Sequence, residues 1–600
     1  MPKAIKGKLT WIQKISFKSP EQRDIFYLAL IYLSLFLAKI IISLNFRSPF
    51  SLPDEVEYFL KASSIFHTQN PFGSIPVGGA FPGYPLVLSV FFLGGGSSLA
   101  IYHSILIFNA FLSSVLVFPV YFILKEFCDR KYCIIGTIIV AVLPAINVYS
   151  FSVLSENLLI PLIMFSLWFF VELRKKNAII LYLLFCLTLF LLILNRPTGF
   201  LVALSFMIVL FFENVVKGST PRRVLILVLS AAICVAAGIV LGNFVIQNNI
   251  IVSGYNVSDL VTGTLDLLGT TSFFIQITVA FLSQVEYLFI SCYGIFVVLA
   301  GLLVLSMFHP LGKLKTPSGD HSEGLDTFHQ NVLKELVLVI LTFSLLLMVI
   351  TSFYLTEYSK TTSLAIDIYG RYVDPMVPLV FTLGIISLSL LLKKVRSFPR
   401  STFMWTSGIY IFIITAIILT FPLILKNNYI DVSVLSIWYL IALKNVIPTG
   451  ILISALLFGV AGVFLLSNCS QKMKTRFLVC IIVLSIFITS VALTEEITLS
   501  SQKDSQNSFG KFLSEHTTDS TVTALDWNSM KVSDYAWLAL FMAKGDVVPV
   551  FLPYQEGSFL NFLPQRRVDY LITKESLNYT LEAGGTSATG GLKLYNITSP

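Results

Sequence analysis

Long apolar runs separated by short polar breaks occupy most of the chain, and the pattern changes near residue 500. A helix that crosses hydrocarbon needs roughly 20 apolar residues. Runs of that kind lie at 26–45, 100–124, 132–150, 156–172, 178–194, 199–213, 223–245, 286–308, 332–353, 372–392, 402–425, 448–467 and 476–494. The pattern predicts a polytopic α-helical membrane protein of about thirteen transmembrane helices, with 84–97 and 265–283 as further apolar stretches. Beyond Ser500, β-prone runs at 521–525, 547–552, 568–573 and 592–597 alternate with helix-like stretches at 508–515 and 534–543. About 100 residues suffice for one small core, so a compact α/β domain is expected there.

Composition narrows the class. The chain is 56% hydrophobic and 12% charged, with a mean hydropathy of +0.83, far more apolar surface than a soluble protein of 600 residues needs. The first run is too long for a cleavable signal peptide, and no small-residue cleavage site follows it. Basic residues cluster before it (Lys3, Lys6, Lys8, Lys14, Lys18, Arg23) and again at 125–131, 174–176, 217–223, 313–315, 393–400 and 472–476. These clusters alternate with basic-poor loops, which puts the amino terminus in the cytoplasm and 46–83, 147–155, 195–198, 246–285, 354–371, 426–447 and 495–600 outside. The expected organisation is a basic cytoplasmic segment 1–25, a transmembrane domain 26–495 whose first external loop is 46–83, and an external domain 496–600, all in the cell membrane. The net charge of +8 follows from this bias and does not imply a nucleic-acid partner. Seven scattered cysteines lie within or beside spans and none in the tail, so the tail has no disulfide framework. The histidines are dispersed, without zinc-ligand spacing. Sequons at Asn256, Asn578 and Asn596 agree with the topology.

Candidate chemistry gathers in the external loops. Ser51, Pro53 and the acids Asp54, Glu55 and Glu57 read as the start of a helix, and Val56, Phe59, Leu60 and Phe66 give it one apolar stripe, as for a helix lying along the membrane surface. An ionised Asp54, favoured at a helix amino terminus, can take a proton from an attacking hydroxyl; alternatively the acids only complement the helix dipole. Glu57, four residues before Lys61, reads as half of a surface ion pair. Glu156 enters an apolar span, which is costly without a partner or a role, unless it joins Ser155 as a cap. Arg196 and Arg371 offer guanidinium forks that match phosphate oxygens, with interfacial snorkelling as the plainer reading. Lys360 and Arg47 are weaker phosphate candidates. The sequence has no GxGxxG after a strand, no GxxxxGK[ST] and no Asp-x-Asp, which argues against a nucleotide-dependent site.

The segments PDEVEYFLKA at Pro53, FPGYPLVLSVFF at Phe81, SENLLIPL at Ser155, NRPTGF at Asn195 and RYVDPMVPL at Arg371 occur in an order that resembles the GT-C superfamily of integral-membrane glycosyltransferases. The likeness is to the branch of dolichyl-phosphate-mannose protein mannosyltransferases and bacterial aminoarabinose transferases, and covers about the first 390 residues. VDYLITKE and LKLYNI resemble the small external domain of many prokaryotic and archaeal members. The resemblance implies metal-independent, inverting transfer from a polyprenyl-phosphate sugar to a glycan, lipid or protein acceptor. It implies Asp54 as base with Glu55 beside it, Glu156 as a second acid, and Arg196 and Arg371 at the donor phosphate. Tyr372 and Lys360 stand with them as substrate-binding candidates read from the residues, Lys360 with a solvated side chain as the plainer reading. No MIR insertion is present, which weakens the case for a protein acceptor. The rival readings are a transporter or flippase, whose polar residues belong near mid-membrane, and a lipid-linked polysaccharide polymerase or ligase, whose large catalytic loop comes late in the chain.

Overall fold

The computed structural model describes residues 19–50, 54–68, 81–218, 220–247, 271–292, 323–358, 370–394, 471–506, 508–518 and 521–526, with shorter stretches at 295–296, 299–301, 303, 538, 541–542, 546–550, 568–573, 580–584 and 593–596. Where the sequence is apolar it folds as helices: α1 (Pro20–Ser43), α2 (Asp54–Thr68), α3 (Ser98–Val115), α4 (Val117–Phe127), α5 (Arg130–Ala141), α6 (Glu156–Lys175), α7 (Ile179–Asn195), α8 (Pro197–Lys217), α9 (Pro221–Gln247), α10 (Thr271–Ser291), α11 (Glu323–Tyr358), α12 (Met376–Lys394) and α13 (Gln471–Gln506). Start signals act as the chemistry requires. Ser19 caps α1 by accepting from the Gln22 N–H at 3.2 Å, and Pro20 and Pro197 open α1 and α8, where the missing N–H costs nothing.

Among the described residues seven helices are long and apolar enough to cross a membrane. The bent pair Arg130–Ala141 and Pro144–Phe151, which makes an eighth if it is one span, turns by 60° where Leu143, extended ahead of Pro144, interrupts the helix. The expected spans at 402–425 and 448–467 lie outside the described residues. The described residues among 295–303, within the span expected at 286–308, are helical, and the helix before them runs over Thr271–Ser291. Its polar residues face protein rather than lipid: Gln284 donates to Ser352 on α11 at 2.8 Å and accepts from Thr351 at 2.5 Å.

Helix α2 departs from the expected surface helix. Val56, Tyr58, Phe59, Leu60, Lys61 and Ala62 are all buried, and α2 packs against the short helical segment Gly83–Gly94. One apolar stripe would leave the rest of the helix in water; here protein covers most of its circumference.

After α13 come helix α14 (Ser508–His516) and five strands, β1 (Val522–Asp526), β2 (Asp546–Val550), β3 (Tyr570–Thr573), β4 (Thr580–Gly584) and β5 (Lys593–Asn596), in the order β2-β1-β3-β5-β4. β1 runs parallel to β2 and β3, while β5 is antiparallel to β3 and β4. Pro549, which cannot donate to a ladder, sits on the edge strand β2. A single apolar cluster runs from Leu28 on α1 through the helices to Ile572 and Leu594 in the sheet.

Candidate functional site

Helix α6 begins at Glu156, α8 begins directly after Arg196, and the 3₁₀ turn Gly370–Tyr372 precedes α12. These three starts meet the first turn of α2. Arg371 donates through Nε to Glu156 Oε1 at 2.9 Å and through Nη1 to Asp54 Oδ2. Arg196 donates through Nη1 to the same Glu156 oxygen, and its guanidinium lies 5.3 Å above the Tyr372 ring. Two carboxylates and two guanidiniums therefore form one connected group.

Exposure divides its members. The side chains of Glu156, Arg371 and Arg196 are 0%, 5% and 9% exposed, whereas that of Asp54 is 33% exposed. A buried charge is tolerated only when paired, and Glu156 is paired twice. Burial opposes the charge of Arg371, but Glu156 and Asp54 more than offset it and hold the guanidinium well above its ordinary range. The capping reading of Glu156 does not describe the geometry, since Ser155 makes no side-chain cap and instead accepts from the Tyr58 hydroxyl at 2.9 Å.

Glu55, next to Asp54 in sequence, turns elsewhere. It is fully buried and accepts from Phe50 N at 3.0 Å, Val153 N at 2.8 Å and Tyr102 Oη at 3.0 Å. Successive residues on a helix lie about 100° apart, so only one of two adjacent acids can face the arginines. Glu55 ties α2 to the loop before it and to the turn before α6.

Glu57 and Lys61, one and two turns further along α2, are not a surface pair, for Lys61 is only 4% exposed. Burial, reinforced by Asp54, pushes Glu57 up to about 8 against the pull of Lys61 and Arg371. Burial likewise brings Lys61 down to about 7, opposed by Glu57. Arg47 is exposed, and Lys360 lies outside the described residues.

The turn that carries Arg371 is fixed by a residue the sequence reading passed over. Asp374 is fully buried and accepts from Tyr149 Oη at 2.5 Å and from Tyr287 Oη at 3.0 Å. Gly370 lies against the Tyr287 ring so closely that a Cβ would stand 1.9 Å from its Cζ. Asn195 Nδ2 donates to Ser155 O at 3.0 Å, joining the end of α7 to the start of α6. The available signal was the one acid inside the RYVDPMVPL segment. Among the described residues, no three or more His, Cys, Asp or Glu side chains are grouped so that they could hold a metal ion.

No family model matches the sequence, and no curated protein matches it. Solved structures do. ArnT from Cupriavidus metallidurans bound to undecaprenyl phosphate is similar at 12% identity and a TM-score of 0.53, over 95% of this chain and 98% of that one. The Archaeoglobus fulgidus oligosaccharyltransferase in its apo form matches at 13% identity and a TM-score of 0.43, over 90% and 69% of the two chains. Arabinosyltransferase EmbB from Mycobacterium smegmatis matches at 12% and 0.41, over 82% and 43%. At this identity the first match shows that this chain shares the fold of that protein.

Proposed function

We propose that this chain is a membrane glycosyltransferase that moves a sugar from a polyprenyl-phosphate donor to an acceptor hydroxyl at the external face of the cell membrane. The observation that carries the reading is a one-third-exposed carboxylate, Asp54, sharing a guanidinium with a fully buried one, Glu156. Displacement at an anomeric carbon needs a proton acceptor on one side and positive charge at the departing phosphate on the other. Asp54 is the accessible base. Arg371 and Arg196 are the forks, kept charged and oriented by Glu156, whose burial suits it to positioning rather than to proton transfer.

In the reaction the acceptor oxygen bonds to the anomeric carbon as the bond from that carbon to the phosphate oxygen breaks. The bonding pair leaves with polyprenyl phosphate, the hydroxyl proton passes to Asp54, and the anomeric configuration inverts. A donor phosphate entering the site competes with Asp54 for Arg371, so this ion pair opens as the donor binds and frees the base. Structural likeness to a protein described with bound undecaprenyl phosphate supports the donor class. The topology expected from the basic clusters supports the membrane face, and the 496–600 segment is read as the external domain.

The test is transfer of labelled hexose from polyprenyl phosphate in proteoliposomes, with membrane extract as acceptor source. Wild type transfers label, and Asp54→Asn keeps its binding of undecaprenyl phosphate while its turnover falls about 10²- to 10⁴-fold. Wild-type turnover in a folded Asp54→Asn protein would remove Asp54 as the base. A wild-type protein that binds no undecaprenyl phosphate would remove the donor class.

A further inference from the structure

The far end of the chain grips the helix that carries Asp54. Near the end of α13, Ser500 Oγ accepts from the Arg47 and Ser48 N–H groups, each at 2.9 Å, and donates to Ser48 O at 2.7 Å. Ser48 Oγ donates back to Ser500 O at 2.8 Å, and Lys503 Nζ donates to Phe50 O at 3.0 Å. Ser48 and Ser500 are both buried, so these bonds form out of reach of competing water. Further along, fully buried Phe541 sets its ring 4.9 Å from Phe59 on α2 and 5.5 Å from Tyr102 on α3.

Both contacts converge on one carboxylate. Phe50, held by Lys503, donates its N–H to Glu55; Tyr102, packed by Phe541, donates its hydroxyl to Glu55. Glu55 is the immediate neighbour of Asp54 on the first turn of α2. Two of the donors that place this turn are thus themselves placed by residues more than 400 positions away in sequence. Neither grip touches Arg196 or Arg371, which stand on other elements.

We propose that Ser500, Lys503 and Phe541 are positioning residues for the reaction, so that the carboxyl-terminal part of the chain sets where Asp54 stands and leaves the phosphate forks unaffected. The reaction meant is the glycosyl transfer proposed above, and this inference rests on that reading for its kinetic arm. Proton transfer depends on sub-ångström placement of the base, whereas phosphate binding depends on the arginines. The carboxyl-terminal segment therefore acts on turnover and not on donor affinity.

The experiment uses the full-length protein with Phe541→Ala, Ser500→Ala and the milder Phe541→Leu, each verified as folded by thermal unfolding. Turnover of labelled polyprenyl-phosphate hexose should fall about 10²-fold in Phe541→Ala and Ser500→Ala, in line with a misplacement of about 1 Å. Binding of undecaprenyl phosphate should stay at the wild-type level, and Phe541→Leu should recover most of the turnover. Amide exchange should quicken over 46–50 and 54–62 in both variants, with 370–376 unchanged. Wild-type turnover in both variants, or equal losses of turnover and binding, overturns the proposal. The exchange arm is independent of the reaction: unchanged protection over 46–50 and 54–62 overturns it even if wild type transfers no sugar.

Discussion

Helices α6 and α8 carry the same ingredients at both ends. At their starts stand Glu156 and Arg196, joined by Arg371 and Asp54. At their other ends, about 27 Å away at 1.5 Å per residue, stand Arg174 and Glu213, joined by Arg223 from α9 and Glu335 from α11. Arg174 reaches Glu335 at 2.7 Å, and Arg223 reaches Glu335 at 3.2 Å and Glu213 at 3.4 Å. Each group pairs two acids with two arginines. The difference lies in access: the acids of the second group are 0% and 6% exposed, against 33% for Asp54. The second group is closed on itself and ties four helices together in one register. In the first, one carboxylate faces both an arginine and open space. Charge buried in a bundle becomes candidate chemistry when one member of the group can still be reached.

That contrast breaks if the two groups respond alike to mutation. The largest effect belongs to Asp54→Asn, with turnover down about 10²- to 10⁴-fold and the unfolding midpoint unmoved. Next is Glu335→Ala at the closed end, which leaves Arg174 and Arg223 buried without their carboxylate and costs about 3–5 kcal/mol of stability by denaturant titration. Turnover per folded molecule should hold there, and a loss would mean the closed group also serves the reaction. Asp374→Asn weakens the anchor of the Arg371 turn. It should lower undecaprenyl phosphate affinity and turnover together, the latter about 10²-fold, and should be non-additive with Tyr149→Phe in a double-mutant cycle.

The smallest effect is a matter of pH. Glu57 rises from 4.5 to about 8 on folding, so between those values the folded protein holds a proton that the unfolded chain has released. Its contribution is full below about 4.5 and is lost as pH rises toward about 8. Lys61 falls from 10.5 to about 7, so its contribution runs the other way, with stability gained as pH climbs from about 7 to about 10.5. Unfolding midpoints measured across pH 5–8 should slope downward in wild type and less steeply in Glu57→Gln. An unchanged slope would place Glu57 in ordinary solvent.

Spans were readable because lipid-facing helices need only length and apolarity, properties that a run such as 332–353 carries by itself. The windows for β1, β2, β3 and β5 were readable for the same local reason. Strand β4, Thr-Leu-Glu-Ala-Gly, was missed because it is poor in β-branched residues and owes its state to pairing with β5. At the site, residue type and helix-end position singled out Asp54, Glu156, Arg196 and Arg371, which the structure brings together. Local pattern could not separate Asp54 from Glu55, whose difference is a rotation about the α2 axis set by donors from three other segments. Nor could it join Asp374 to Tyr149, 225 positions apart in the chain.

Gly370 and Tyr287 occupy one space between them, and this ties their fates. Any side chain at 370 would need the volume the tyrosine ring already fills, so the position cannot drift singly away from glycine. Shrinking residue 287 would open that volume, yet it would also remove the hydroxyl that Asp374 accepts. The two positions can change only as a pair, and the pair can change only if some other donor reaches Asp374. A substitution at either position alone should therefore unseat the turn that carries Arg371, while one on a surface that holds nothing in place leaves it standing.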